Sequence, residues 1–321
     1  MIHARSTTPN RILGWFPALV VAGLAIVAGG AEPDGCDEDV WVVSSRRLPA
    51  ICRLPVAPRL GVERLVTEEG RRQWQPAQLD ELLDEPARPL VVFVHGNRYD
   101  AGDAKEQIRR LARSCAASMP DGQSPRMVAF SWPTDPDEHL IRDSREKFLR
   151  AQADAYYLAW LLGRIDGERP VAIVGYSYGA LLSLEALDHI SVAPAAEGAG
   201  WKNRAGRVHV VLVAAAARAE ALAPRGAYRD AVAGIDRLTL VNNTRDFALK
   251  FFPFIDRQRT STALGREILP SRWLSGRVEF AQFDAAPIIG KVHNFSVYLD
   301  APALRSRITD GAVADLETAR R

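Results

Sequence analysis

The residues of this chain that could do chemistry gather around one serine. Gly175-Tyr176-Ser177-Tyr178-Gly179 follows the apolar run Val171-Ala172-Ile173-Val174 and leads into the helical stretch Ala180 to His189. A serine hydroxyl is a weak nucleophile and must be offered to substrate and base together. A sharp strand-to-helix turn does this, and its tight packing asks for glycine two residues either side of the serine. The helix that follows aims its partly positive N-terminus at the place where negative charge develops. Taken bare, G-x-S-x-G reads as a glycine-rich turn packed by two tyrosines. Between a strand and a helix it is a strong signal for Ser177 as nucleophile.

A serine nucleophile needs a base and an acid, which follow it in the order serine, acid, histidine when the turn is of this type. The chain has six histidines. His3 lies in the leading segment, and His95 and His139 precede the serine. His189 sits at the end of the helix after the elbow, and His209 is inside an expected strand. His293 alone follows the last expected strand, in Lys291-Val292-His293-Asn294-Phe295, where a loop can return over the serine. The acid belongs just past the strand Arg237–Val241, and Asp246 ends the run Asn242-Asn243-Thr244-Arg245-Asp246. Asp256 is the competing carboxylate, and the plain reading of Asp246 is a turn or helix cap. An acid there would fix the imidazole tautomer and stabilise the imidazolium. His95-Gly96-Asn97 directly follows the apolar run Leu90–Val94. The backbone N–H groups of Asn97 and Tyr178 are the expected oxyanion donors. His95 is expected to hold that loop rather than to react.

These groups need a scaffold. Leu90–Val94, Met127–Trp132, Val171–Val174, Arg207–Val213, Arg237–Val241 and Arg277–Phe280 read as strands. The continuous apolar runs among them fit a parallel sheet covered on both faces. Ile108, Leu111, Ala112, Cys115 and Met119 recur at helical spacing. A long helix is expected from about Arg145 to Ile165, and another near Ala217–Ala233. Ser191–Gly206 reads as a loop and Phe247–Gly276 as an irregular insert. Strands alternating with helices predict an α/β fold, a doubly wound, mostly parallel sheet with helices on both faces. Before Pro89, a strand at Asp39–Ser45 and a strand or hairpin between Gly61 and Trp74 have no helix between them, so they would form an antiparallel edge. Nothing resembles a linker, which favours one large domain.

The start of the chain is different. Arg5 and Arg11 lead an apolar stretch from Ile12 to Val27, which ends in Ala28-Gly29-Gly30-Ala31 before acidic residues begin. That is the order of a secretory signal peptide over residues 1–31, with the domain at 32–321. The alternative is a retained N-terminal anchor, although the apolar stretch is short for a span of about 20 residues. Either way the protein is expected outside the cytoplasm. The formal charge of +2 comes from the two arginines of the leader, so the rest is balanced. There is no electrostatic footprint for nucleic acid. No long single-sign run suggests an anionic membrane, so no membrane partner is expected beyond the possible anchor. Of the three cysteines, Cys36 and Cys52 could pair after export, and Cys115 reads as a buried apolar residue.

From about Pro89 to Leu299 the chain resembles the α/β-hydrolase superfamily. It is most similar to a bacterial serine-hydrolase branch that carries Phe-Val-His-Gly-Asn, Phe-Ser-Trp-Pro and a serine elbow, here Phe93–Asn97, Phe130–Pro133 and Gly175–Gly179. The resemblance implies a sheet of about eight strands and acyl-transfer chemistry with no metal or cofactor. Elbows in that branch often read His-Ser-Met-Gly; here Tyr176 and Tyr178 flank the serine and would narrow or line the pocket. Three functions are compatible with these residues. The first is an exported esterase, lipase-like or thioesterase-like enzyme acting on a small-molecule acyl substrate, with Phe247–Phe254 as an acyl-binding wall or as packing under a loop. The others are an amidase or peptidase on the same three residues, and a non-catalytic binding protein that kept the fold.

Overall fold

The computed structural model describes residues 39–119, 124–136, 140–194, 201–257 and 261–316. The expected leader and Cys36 lie outside the described residues. Among the described residues, no helix is long and apolar enough to cross a membrane.

Among the described residues nine strands make one sheet: β1 (Val40–Ser44), β2 (Gly61–Glu68), β3 (Arg71–Pro76), β4 (Leu90–Val94), β5 (Arg126–Ser131), β6 (Val171–Tyr176), β7 (Val208–Val213), β8 (Arg237–Asn242) and β9 (Glu279–Asp284). Their order is β3-β2-β1-β5-β4-β6-β7-β8-β9. β2 pairs antiparallel with β1 and with β3, which makes the antiparallel edge expected from the helix-free start. Every other pairing is parallel. All residues of β4 to β7 are buried, as the uninterrupted apolar runs require of strands covered on both faces.

Five longer helices do the covering: α1 (Ala101–Ala116), α2 (Leu140–Gly163), α3 (Tyr178–Val192), α4 (Phe295–Asp300) and α5 (Pro302–Val313). α1, α4 and α5 pack together on one face, and α2 and α3 on the other. α1 buries Ala104, Ile108, Leu111, Ala112 and Cys115, a stripe three and four residues apart. It starts at Asp100, whose side chain accepts from the Asp103 N–H while Asp103 accepts from the Asp100 N–H. α2 begins five residues before the expected Arg145.

Two expectations about elements fail. Ala217–Ala233 is a 3-10 turn (Ala219–Leu222) and a short helix (Arg229–Ala233), because Pro224 and Gly226 interrupt it. The last strand is Glu279–Asp284 rather than Arg277–Phe280: its alternating Phe280, Gln282 and half-buried neighbours carry no continuous apolar run. Cys115 is buried and free, and burial pushes its thiol up to about 12. Cys52 is a free, exposed thiol, and the expected partner Cys36 lies outside the described residues.

The parallel register levels the carboxyl ends of the central strands. Val94 lies opposite Gly175, Gly175 opposite Leu212, Leu212 opposite Leu240, and Leu240 opposite Gln282. The segments that leave β4, β6, β8 and β9 therefore emerge along one edge of the sheet.

Candidate active site

β6 runs into α3 with only Ser177 between them, and Ser177 has φ 55° and ψ −118°. That is a sparsely allowed conformation for a residue with a Cβ, held here by surrounding structure. The Ser177 N–H donates to Val213 O at 3.0 Å, and its carbonyl accepts from Ala180 at 3.1 Å and Ala216 at 3.0 Å. The turn is possible because Gly179 faces β4 at contact distance. A Cβ at Gly179 would sit 1.9 Å from Val94 O, so any larger residue would force the helix off the sheet. Ser177 is only 6% exposed, which leaves little more than its hydroxyl to reach.

His293 reaches the serine from the segment after β9. Its Nε2 lies 2.9 Å from Ser177 Oγ and its Nδ1 2.7 Å from Asp246 Oδ2. A carboxylate facing Nδ1 fixes the proton there, which leaves the Nε2 lone pair for the serine hydroxyl. Asp246 is fully buried, and its other oxygen accepts from the Leu249 N–H at 2.9 Å. The structure therefore brings together Ser177, Asp246 and His293. It does not bring Asp256 there. That carboxylate takes two 2.7 Å hydrogen bonds from the Arg218 guanidinium and one from Ser261 Oγ at 2.9 Å.

The turns carrying Asp246 and His293 are tied together by groups that sequence reasoning missed. Asn243 is fully buried. Its side-chain N–H donates to Val292 O at 3.0 Å, its side-chain oxygen accepts from Arg245 at 3.1 Å, and its carbonyl accepts from Asp246 at 2.9 Å. One amide thus sets the turn of the acid and the backbone beside the base. Phe247 N–H also donates to Lys291 O at 3.2 Å. Asn243 directly follows β8, and an asparagine at a strand end is a turn signal in sequence, although nothing there reveals its partner.

The flanking tyrosines do not face the pocket as expected. Tyr176 is 3% and Tyr178 4% exposed. The Tyr176 ring lies beneath His293 with centroids 5.2 Å apart and also meets Phe295 at 5.3 Å. It points inward because residue 176 ends a strand whose faces are both covered. Tyr178 OH donates to Ser144 O at 3.0 Å, fastening the start of α3 to α2.

On the other side of the serine, Gly96 passes so close that a Cβ would lie 3.0 Å from Ser177 Cβ. Asn97 therefore enters beside the nucleophile, with its side-chain N–H on Asp143 Oδ2 at 3.3 Å. Tyr178 is the first residue of α3, so its N–H has no partner within the helix. His95 is fully buried between Tyr99 and Trp132; its Nε2 accepts from Trp132 N–H at 3.2 Å and its Nδ1 lies 2.9 Å from Gly96 O. Burial lowers its pKa to about 3. It is a neutral brace for the loop. His189 stacks on Tyr156, and His209 bonds Ala312 O, both away from the serine.

A model of the alpha/beta hydrolase family matches residues 91–316. Among solved structures, esterase B from Lactobacillus rhamnosis, crystallised in an inhibited form, is 15% identical. That alignment covers 78% of this chain and 79% of the other with a TM-score of 0.37. A cold-adapted esterase from an Arctic intertidal metagenomic library is 14% identical, over 78% of this chain and 94% of the other, with a TM-score of 0.32. A search of curated proteins gives no match. The family match runs from β4 through the elbow to the end of α5, and the chain belongs to the alpha/beta hydrolase family.

Proposed function

We propose that the protein hydrolyses an ester or related acyl bond of a small molecule through an acyl-enzyme on Ser177. The observation that carries this reading is the single imidazole bonded at one end to a serine hydroxyl and at the other to a buried carboxylate. In the first step His293 Nε2 takes the hydroxyl proton as Ser177 Oγ bonds to the acyl carbon. The charge on the imidazole is balanced by Asp246, which keeps its own proton-free state. The N–H groups of Asn97 and Tyr178 hold the oxygen that becomes anionic, each worth about 2.7–4 kcal/mol of transition-state stabilisation. Collapse expels the alcohol, which takes the proton from Nε2. Water then attacks the acyl-enzyme with His293 again as base, releasing the acid and restoring the serine.

An amide follows the same path with a poorer leaving group. A panel of p-nitrophenyl esters and the matching anilides separates the readings. Turnover of esters well above anilides is expected; anilide hydrolysis without ester hydrolysis identifies an amidase, and no turnover of either points to a binding protein.

Residues 1–31 are proposed as an export signal or anchor, which places the reaction outside the cytoplasm. The support is their basic, apolar, small-residue order. The N-terminal mass of the native protein decides it: loss of residues 1–31 is expected for a cleaved signal.

A further inference from the structure

One short stretch beside the acid combines exposed aromatic rings with exposed cations. Arg245–Arg257 leaves β8, passes Asp246 and makes two short helical turns. Its inward side chains are Leu249 and Phe252, both buried, with Phe252 edge-on to Phe148 at 6.0 Å and Phe148 edge-on to Tyr178 at 6.1 Å. Its outward side chains are Phe247 at 59%, Phe251 at 44% and Phe254 at 64% exposure. Among the described residues no other phenylalanine is so exposed. The Phe247 and Phe251 rings touch edge to face, 5.4 Å between centroids. Val292, 40% exposed, adjoins them through the Phe247–Lys291 hydrogen bond. Apolar surface grouped in this way marks an interaction site.

The charge that this stretch exposes is set by folding. In sequence its three basic residues are partly offset by Asp246 and Asp256. In the structure both aspartates are buried and engaged, by His293 and Arg218, whereas Arg245, Lys250 and Arg257 are exposed, as is Lys291. The outer face therefore offers rings and cations and no exposed carboxylate of its own. A single acyl chain would be gripped by inward-facing walls, yet these rings project on the side opposite Leu249 and Phe252. Aromatic rings that enter the headgroup layer, surrounded by basic residues that meet anionic headgroups, suit a lipid surface.

We propose that Arg245–Arg257, with Lys291 and Val292, docks on an anionic phospholipid surface, and that the enzyme meets its ester there. The second half of that statement rests on the hydrolytic reading; the docking does not, so its test measures binding alone. Full-length Ser177→Ala protein, which cannot turn substrate over, is sedimented with sucrose-loaded vesicles of phosphatidylglycerol or of phosphatidylcholine. Partition onto phosphatidylglycerol is expected to exceed that onto phosphatidylcholine and to fall as salt is raised. The Lys250→Gln/Arg257→Gln pair should weaken phosphatidylglycerol binding about 25-fold, roughly fivefold per basic residue. Phe251→Ser/Phe254→Ser should weaken binding to both lipids. Hydrogen exchange should slow within residues 245–257 when phosphatidylglycerol is added. With Ser177 intact, Lys250→Gln/Arg257→Gln should hydrolyse a short soluble ester as well as the parent protein. Equal partition of parent and both surface variants overturns the docking, because the leader or another surface then does the binding. Slowed exchange at 245–257 that grows with protein concentration and needs no vesicles also overturns it, since the occupant is then a second copy of the chain. Normal vesicle binding with no ester hydrolysis by the intact protein overturns the function and leaves the docking standing.

Discussion

Asp246 and Asp256 stand ten positions apart at the two ends of one segment, and both side chains are fully buried. Their surroundings divide them. Asp256 closes the turn Phe252–Ile255 and is filled on both oxygens by one guanidinium. A guanidinium stays charged at any working pH, so that pair is a permanent clamp. Asp246 meets the His293 imidazole with one oxygen and a backbone N–H with the other. Its electrostatic contribution grows only when His293 takes a proton, which is when a transition state needs it. Burial therefore does not separate the proposed acid from the clamp; the group facing each carboxylate does.

The largest way to break this contrast is Asp246→Asn. An amide permits the wrong imidazole tautomer and cannot balance imidazolium, so kcat should fall by about four orders of magnitude while circular dichroism stays unchanged. Asp256→Asn should spare kcat of the folded protein and cost about 1–3 kcal/mol of stability in urea unfolding, because Arg218 loses a charged acceptor. Reversed outcomes for the two variants would exchange their roles.

His95, buried on the other side of the serine, extends the contrast to a group whose burial is read through pH. His95 stays neutral in the fold to about pH 3, whereas an unfolded histidine protonates near 6.5. Protons then favour the unfolded chain, so this contribution to stability is intact above 6.5 and is lost as pH falls toward 3. The loss should reach about 2 kcal/mol at pH 5. His95→Gln should flatten that slope between pH 7 and 5 while lowering stability at both; an unchanged slope places the acid sensitivity elsewhere.

The smallest effect concerns what holds the acid and base turns together. Asn243→Ala should lower kcat about tenfold and leave KM nearly unchanged, since a lost buried hydrogen bond of about 1–3 kcal/mol loosens His293 without touching substrate. An equal rise in KM would place Asn243 in substrate binding instead.

Much of this was legible in the sequence, for reasons that differ by region. The buried strands from Leu90 to Val213 announce themselves as apolar runs, and the elbow fixes where the strand order presents a serine. His293 follows by position, because only one histidine lies beyond the last strand. Asp246 and Asp256 could be ranked but not separated, since only the fold shows that Arg218 occupies the second. The inward aim of Tyr176 and the tie from Asn243 to Val292 depend on contacts far apart in sequence. The exposed cations of Arg245–Arg257 were hidden for a related reason: counting charges does not reveal which aspartates fold away.

The central claim is that Ser177 is the residue that becomes acylated. The most direct measurement is reaction of the full chain with a fluorophosphonate, followed by peptide mass mapping. The account predicts one adduct, on the peptide containing Gly175–Gly179 and at Ser177, with no labelling of Ser177→Ala and slowed labelling of Asp246→Asn. A label that persists in Ser177→Ala, or maps to another residue, would contradict it.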